Sequence, residues 1–285
     1  MAVIIPARDE EASVAQVVRE VSHALERAAE PVSFEILVVD DGSRDGTARA
    51  AQQAGARVLV LDAPCGYGAA VKWALRQTQA EFVALLDADG SYPAAALPEL
   101  LVAVRQGADQ VVGARVAPGA EVPLLRRPAK WVVKKVAELL LGSRIPDLNS
   151  GMRVLRRSRV LALWRLLPDG FSLTTTLTVA GVLDSWAVRW VPIGYHKRIG
   201  QSKFRAVRDT WRLLLSLARA VVYFDPLRFF LPVSLGLGVW AVAFALWDLF
   251  WEHNLTDKTV LTSLSALEVF ILGLLADLLV KNRTP

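Results

Sequence analysis

In this chain acidic residues recur where an apolar run stops. Pro6-Ala7-Arg8-Asp9-Glu10 follows the first run, and Asp40-Asp41-Gly42-Ser43-Arg44-Asp45 follows the second. Cys65-Gly66-Tyr67-Gly68 comes after the third, and Asp87-Ala88-Asp89 after the fourth. Residues i and i+2 of an extended chain point to the same side, so Asp87 and Asp89 can face one point. Two carboxylates aimed into a phosphate-binding crevice would repel the phosphate unless a divalent cation lay between them, and hard oxygen ligands suit Mg²⁺ or Mn²⁺. Asp-x-Asp on its own is short and common and reads first as a solvated turn. A single acid at a strand end can also cap a helix, and Ser43 or Asp45 ahead of Thr47 fits that role. Acids at three separate strand ends exceed what caps require and read as one polar crevice.

The elements that would position these groups alternate short β-branched runs with longer helical patterns. Strands are expected at Val3–Pro6, Phe34–Val39, Arg57–Leu61, Phe82–Leu86 and Gln110–Gly113, and helices at Ala12–Ala29, Thr47–Ala54, Gly68–Gln77 and Ala95–Gln106. That rhythm reads as βαβ units around a mostly parallel sheet, an α/β class in which ligands sit beyond the carboxyl ends of the strands.

Further along, Asn149-Ser150-Gly151-Met152-Arg153 and Lys197-Arg198-Ile199-Gly200-Gln201-Ser202-Lys203 join the set. Together with Pro6…Asp9-Glu10, Asp40-Asp41-Gly42-Ser43 and Asp87-Ala88-Asp89, they resemble the inverting nucleotide-sugar transferases of the GT-A fold. More narrowly, the chain resembles the dolichol-phosphate mannose synthase and polyprenyl-phosphate glycosyltransferase group, over about residues 2–225. The resemblance implies a Rossmann-like catalytic domain over 1–204, with amphipathic interface helices and a C-terminal transmembrane hairpin. It implies a nucleotide-sugar pocket of Pro6, Ala7, Arg8, Glu10, Asp40, Asp41, Gly68, Lys72, Asp87, Ala88, Asp89 and Arg115. It also implies a cation, Mg²⁺ or Mn²⁺, on Asp87, Asp89 and Asp147, and an acceptor-phosphate set of Arg126, Arg127, Ser150, Arg153, Arg198, Ser202 and Lys203. Asp89, Asp147, Arg198 and Lys203 would carry the reaction. Two positions depart from the group: Gly90-Ser91-Tyr92-Pro93 replaces a Leu-Gln pair after Asp89, and Cys65 stands where Asn is frequent. Both lie near the sugar or ribose, so mannose is not assumed.

Two segments carry amphipathic patterns. Around 124–141, Lys130, Lys134, Lys135 and Glu138 share one helical face, and Val132, Val136, Leu139 and Leu140 another. Over 205–225, Arg205, Arg208, Asp209, Arg212, Ser216 and Arg219 form a basic stripe opposite Val207, Trp211, Leu214, Leu215, Ala218 and Val221. Basic amphipathic helices with Trp on the apolar face lie in the membrane interface; the same pattern also serves a surface helix packed on a core. In the 226–285 region, Phe229–Phe250 and Val260–Val280 each match the ~20 residues that cross a bilayer, and end-placed aromatics and a short polar link make them a hairpin.

Arg228 before the first span, and Lys281 and Arg283 after the second, place the catalytic domain and both termini in the cytoplasm, as a multi-pass inner-membrane protein. No signal peptide is expected, since the chain enters an apolar strand at once. The single cysteine, Cys65, fits a reducing compartment. A net charge of +5 with no nucleic-acid motif is assigned to anionic lipid and phosphate rather than nucleic acid. The resemblance implies a nucleotide-diphosphate sugar and polyprenyl phosphate as partners, and membrane lipid and a homo-oligomer through the spans are expected beside them. A processive polysaccharide synthase would add a Gln-x-x-Arg-Trp segment and more spans. A non-catalytic scaffold would not need acids at several strand ends. His23 reads as a surface residue, and His196 adjoins the basic loop without a second histidine for zinc. Glu268 and Asp277 inside the second span are costly in lipid and call for a protein contact.

Overall fold

The computed structural model describes residues 1–117, 127–196 and 206–282, with side chains throughout except at 127–132, 206–210 and 212. Seven strands form one sheet: β1 (Ala2–Ala7), β2 (Glu35–Asp40), β3 (Arg57–Val60), β4 (Phe82–Leu85), β5 (Gln110–Ala114), β6 (Arg153–Arg156) and β7 (Val188–Pro192). Their order is β3-β2-β1-β4-β6-β5-β7. Only β6 runs against its neighbours β4 and β5; every other pairing is parallel. The first five strands lie where the β-branched runs put them. Ala2–Ile5 and Leu37–Val39 are buried on both faces, the mark of a parallel sheet covered from both sides.

Helices α1 (Glu11–Glu26), α2 (Thr47–Gln53), α3 (Tyr67–Gln77) and α4 (Leu97–Arg105), the last preceded by a 3₁₀ turn at Ala94–Ala96, form the crossovers. α1 and α4 cover one face of the sheet. α3, with α6 (Arg157–Ala162) and α7 (Leu173–Leu183), packs against the other. α7 is buried along Leu173–Gly181, four threonines included, because the sheet lies on one side of it and further helices on the other.

Those further helices are α5 (Arg127–Leu141) and α8 (Ala206–Phe224). α5 buries Val133, Ala137 and Leu141, while α8 buries Leu217, Ala220 and Val221 in the same cluster. The expected apolar faces are therefore partly rotated. Leu139, placed on the apolar face by the sequence reading, is 77% exposed, and Val221, placed with Trp211, is buried in the domain. Trp211 (61% exposed), Leu215, Ala218 and Val222 follow one another at helical spacing on a side of α8 not buried in that cluster. α8 thus has one apolar side for the domain and a second, open one.

α9 (Pro226–Trp247), a π turn (Asp248–Glu252) and α10 (Asp257–Lys281) complete the chain. Both helices are long and apolar enough to cross a membrane, with mean hydropathies of 2.1 and 2.0, and most of their surface is uncovered. They pack on each other as a hairpin. Gly273 admits Phe230, whose Cβ would lie 2.7 Å from any Cβ at 273, and the Ser234 hydroxyl donates to the Ala266 carbonyl across the pair at 2.9 Å. The link is organised by Asp248, whose carboxylate accepts from the Thr256 amide and the Thr256 and Thr259 hydroxyls, each at 2.7 Å. Lys258 pairs with its other oxygen. Asp277 pairs with Lys281 at 2.7 Å, and Glu268 is exposed on the outer surface of α10.

Candidate active site

The carboxyl ends of β1, β2 and β4 are neighbours in the sheet, so Pro6–Glu10, Asp40–Asp41 and Asp87–Asp89 meet along one edge as the sequence pattern requires. The first two loops are stitched together. Asp9, held in the left-handed region at φ 49°, donates its amide to the Ser43 hydroxyl, and its carboxylate accepts the Arg44 amide, both at 2.9 Å. The Glu10 amide donates to the Thr47 hydroxyl at 2.8 Å. Asp40 accepts the Ser43 amide at 2.9 Å. Asp41, nearly buried, reaches across to the third loop and accepts the amides of Cys65 at 2.6 Å and Gly66 at 3.0 Å. Gly42, at φ 65°, passes so close to Pro64 that a Cβ would lie 2.9 Å from its nitrogen. The pocket expected around Pro6, Ala7, Arg8, Glu10, Asp40 and Asp41 is thus one cross-braced rim.

Asp87 and Asp89 end β4. Asp89 is nearly buried, and its Oδ1 accepts from the Ser91 amide at 3.0 Å and the Ser91 hydroxyl at 2.5 Å. Ala88 between them is buried. Against Asp87 lies Gly151, where any Cβ would fall 2.6 Å from a carboxylate oxygen, so a side chain here would displace the Asp87 carboxylate. The Gly151 amide donates to the Tyr92 hydroxyl at 2.7 Å. From the other side comes Tyr67, its phenol raised well above its usual value by burial and then by the Asp87 charge. Phe171, exposed, stacks on Tyr67 at 6.0 Å. Sequence reasoning gave Tyr67 and Tyr92 no role of their own, although both stand inside segments it had singled out, and it passed over Phe171.

Several expectations are corrected. Asp147 does not join Asp87 and Asp89 as a cation ligand. Its two oxygens accept from Arg115 Nε at 2.7 Å and Nη2 at 2.8 Å, and the Arg115 amide adds a third bond at 3.1 Å. Burial alone would raise the Asp147 carboxyl; the Arg115 hydrogen bonds and charge outweigh it and hold the group below the usual carboxylate range. Arg115 is correspondingly committed to Asp147 and Asn149, between the rings of Tyr92 and Tyr195, rather than turned toward a phosphate. Lys72 pairs with Asp169 and donates to the Leu167 carbonyl, and Gly68 meets the Pro168 carbonyl so tightly that a Cβ would collide with it. Both therefore dock α3 on the 167–170 loop instead of lining the donor pocket. Ser150 is buried with its hydroxyl on the Gly113 carbonyl at 2.6 Å, and Arg153 is fully buried, so neither reaches an acceptor phosphate. Arg126, Arg198, Ser202 and Lys203 lie outside the described residues, and Arg127 is described by its backbone alone.

Among the described residues no three His, Cys, Asp or Glu side chains gather as a cation cage. Mg²⁺ and Mn²⁺ sites that work on diphosphates need no such cage, since one or two carboxylates suffice when phosphate and water oxygens fill the remaining positions. Asp87 and Asp89, with the backbone thinned to glycine beside Asp87, fit that pattern.

Residues 2–163 match the family model described as Glycosyl transferase family 2, and residues 225–281 match the GtrB C-terminal hairpin. The chain is 31% identical over 205 residues to a dolichyl-phosphate hexose transferase of Haloferax volcanii, covering 71% of this chain and 86% of that protein. It is 33% identical over 217 residues to a polyprenol monophosphomannose synthase of Mycolicibacterium smegmatis, covering 70% and 79%. Among solved structures, glucosyl-3-phosphoglycerate synthase from Mycobacterium tuberculosis, in complex with Mn²⁺, UDP-glucose and phosphoglyceric acid, superposes with a TM-score of 0.59. The identity is 20%, over 77% of this chain and 79% of that one, so the likeness is one of fold.

Proposed function

The chain belongs to glycosyl transferase family 2, and we propose that it transfers a hexose from a nucleotide-diphosphate sugar, of the GDP-mannose or UDP-glucose type, to polyprenyl phosphate at the cytoplasmic membrane face. The observation that carries the reading is the joining, in one chain, of acidic loops gathered at neighbouring strand ends to a largely uncovered apolar hairpin through α8, on which Trp211 and Leu215 are exposed. The named relatives act on dolichyl phosphate and polyprenol phosphate, which supports a lipid phosphate as acceptor.

In this reading the braced rim of Glu10, Asp40 and Asp41 receives the nucleoside, and Asp87 and Asp89 face the diphosphate. A divalent cation held by those two carboxylates would stabilise the charge on the departing diphosphate, and the Mn²⁺ in the solved fold relative supports that choice of ion. The acceptor phosphate has a second pKa near ~6, so at neutral pH it is largely a dianion. Its oxygen attacks the anomeric carbon as the bond from that carbon to the diphosphate oxygen breaks, with inversion and without a strong general base. What the protein must supply is alignment. Arg126, Arg127, Arg198, Ser202 and Lys203 are the proposed acceptor-phosphate group, with Arg198 and Lys203 on either side of Gly200. Arg228, Lys281 and Arg283 flank the hairpin and favour a multi-pass topology with a cytoplasmic catalytic domain and termini.

The test uses the full chain in lipid nanodiscs with polyprenyl phosphate, Mn²⁺ and a panel of labelled nucleotide sugars. One sugar should appear on the lipid, and EDTA or Asp89→Ala should lower the rate by about 10²-fold or more, as loss of several kcal/mol of charge stabilisation implies. Full activity in EDTA would overturn the metal assignment. Turnover of nucleotide sugar with no label on the lipid would overturn the acceptor.

A further inference from the structure

Arg153 is fully buried, and no carboxylate forms an ion pair with it among the described residues. Its guanidinium meets neutral acceptors instead. Nη2 donates to the Ser150 carbonyl at 2.5 Å, and Nη1 to the Thr174 carbonyl at 2.9 Å and the Thr178 hydroxyl at 3.2 Å. A contact of 3.5 Å to Gln110 Oε1 adds little, and Nε is buried without a partner. Burial pushes the group down to about 10, which still leaves it charged at neutral pH. A full charge taken out of water without a counter-ion is costly, and an apolar side chain of similar volume would fill the same space without that cost. The position therefore serves something other than packing.

What the guanidinium grips is the turn beneath Asp87. Ser150 is fixed through its hydroxyl on the Gly113 carbonyl and through its own carbonyl on Arg153. Gly151 follows, fixed through its amide on Tyr92, and its missing side chain leaves room for the Asp87 carboxylate. Arg153 also stands in register with Leu85 of β4, two residues before Asp87. The far end of the grip is the first part of α7, which is buried on all sides and can act as a fixed post.

We propose that Arg153 is a positioning residue: it ties the Ser150 carbonyl to α7 and so holds Gly151 against Asp87, setting where that carboxylate points. The inference rests on the reading of Asp87 as a cation ligand. Groups that orient a metal ligand from behind typically change metal affinity by about 10–100-fold when altered.

Arg153→Lys keeps the charge but loses the planar fork that spans the Ser150 carbonyl and α7. The full chain in nanodiscs is titrated with Mn²⁺ in the presence of UDP or GDP, with free Mn²⁺ followed by electron paramagnetic resonance. Hydrogen exchange over 147–153 and thermal unfolding are measured alongside. The expected result is a folded protein with faster exchange over 147–153 and about 10-fold weaker Mn²⁺ binding, whose transfer rate recovers at high Mn²⁺. The KM for polyprenyl phosphate should be unchanged. Unaltered Mn²⁺ binding in folded Arg153→Lys, or a raised KM for the lipid phosphate in its place, would overturn the proposal. Should Arg153→Lys not fold, Gly151→Ala decides the matter from the other end of the tie, with the same Mn²⁺ titration and the same two outcomes. A wild-type chain that binds no Mn²⁺ with either nucleotide would overturn the metal reading and this inference with it. Wild-type binding with unaffected variants would overturn the inference alone.

Discussion

Replacing Asp147 by Asn separates a structural carboxylate from a metal ligand. In the fold its two oxygens receive two bonds from the Arg115 guanidinium and one from the Arg115 amide, with both side chains about nine-tenths buried. Removing one partner of a buried pair typically costs about 3–5 kcal/mol, chiefly because the other charge is left uncompensated. Asparagine keeps one acceptor oxygen but turns an NH₂ toward the guanidinium, so the lower end, about 3 kcal/mol, is expected. For a domain of this size that is a fall in Tm of roughly 6–12 °C. The depressed Asp147 carboxyl fixes the sign of the pH dependence. Its contribution is fully present above the ordinary carboxylate value of about 3.9 and is lost as pH falls through the lower folded value. The gap between wild type and variant should therefore be constant from about pH 5 to 8 and close only in stronger acid. Thermal unfolding of the full chain across that range, paired with the Mn²⁺ titration, is the assay. An unchanged Tm together with lost Mn²⁺ binding would refute the structural role and return Asp147 to the cation.

Asp41→Asn should loosen the third loop, since one acceptor oxygen replaces two that now hold the Cys65 and Gly66 amides. Loss of about 1.5 kcal/mol there predicts roughly tenfold weaker nucleotide binding by calorimetry, and unchanged hydrogen exchange at 63–68 would show that the carboxylate does not hold that loop. Gly273→Leu should part the hairpin helices at Phe230, at an overpacking cost of about 1–3 kcal/mol. Exchange around Ser234 should rise while nucleotide binding stays as it was, and an undisturbed hairpin would contradict the close packing at that point.

The parts of this molecule that could be read from sequence are those where pattern and burial agree. Strands β1 to β5 are apolar runs ended by polar loops, and each was recognisable within a residue or two. β6 was not, because its four residues begin and end with arginine; one of these is buried and the other half-exposed. β7 was missed for a related reason: Arg189, Trp190 and Pro192 describe an edge strand rather than a core one. α7 has no amphipathic pattern since no side of its central stretch meets water. The gathering of acidic loops along one edge was legible because strand ends in a parallel sheet share an edge. Which of its charged groups face the ligand was not. Arg115 and Asp147 are 32 residues apart and neutralise each other, which no local spacing announces. Arg153 was assigned to the acceptor phosphate through the resemblance of its motif, and its burial was not visible there because arginine is so rarely buried in a core.

The reversed strand β6 sits between β4 and β5, and that placement fixes the order in which the sheet can close as the chain is synthesised. β1 to β4 can assemble as soon as Leu85 has emerged, but one side of β4 then has no neighbour until Arg153–Arg156 is made. The interval spans the 68 residues from Leu85 to Arg153, roughly 3–14 s at ordinary elongation rates. Throughout it the nascent protein carries an open hydrogen-bonding edge at the centre of its future sheet, the kind of edge that invites pairing with another chain. The strand that seals this edge also brings Gly151 to Asp87, so the crevice and the protection of the sheet are completed in one step, before the apolar hairpin has left the ribosome.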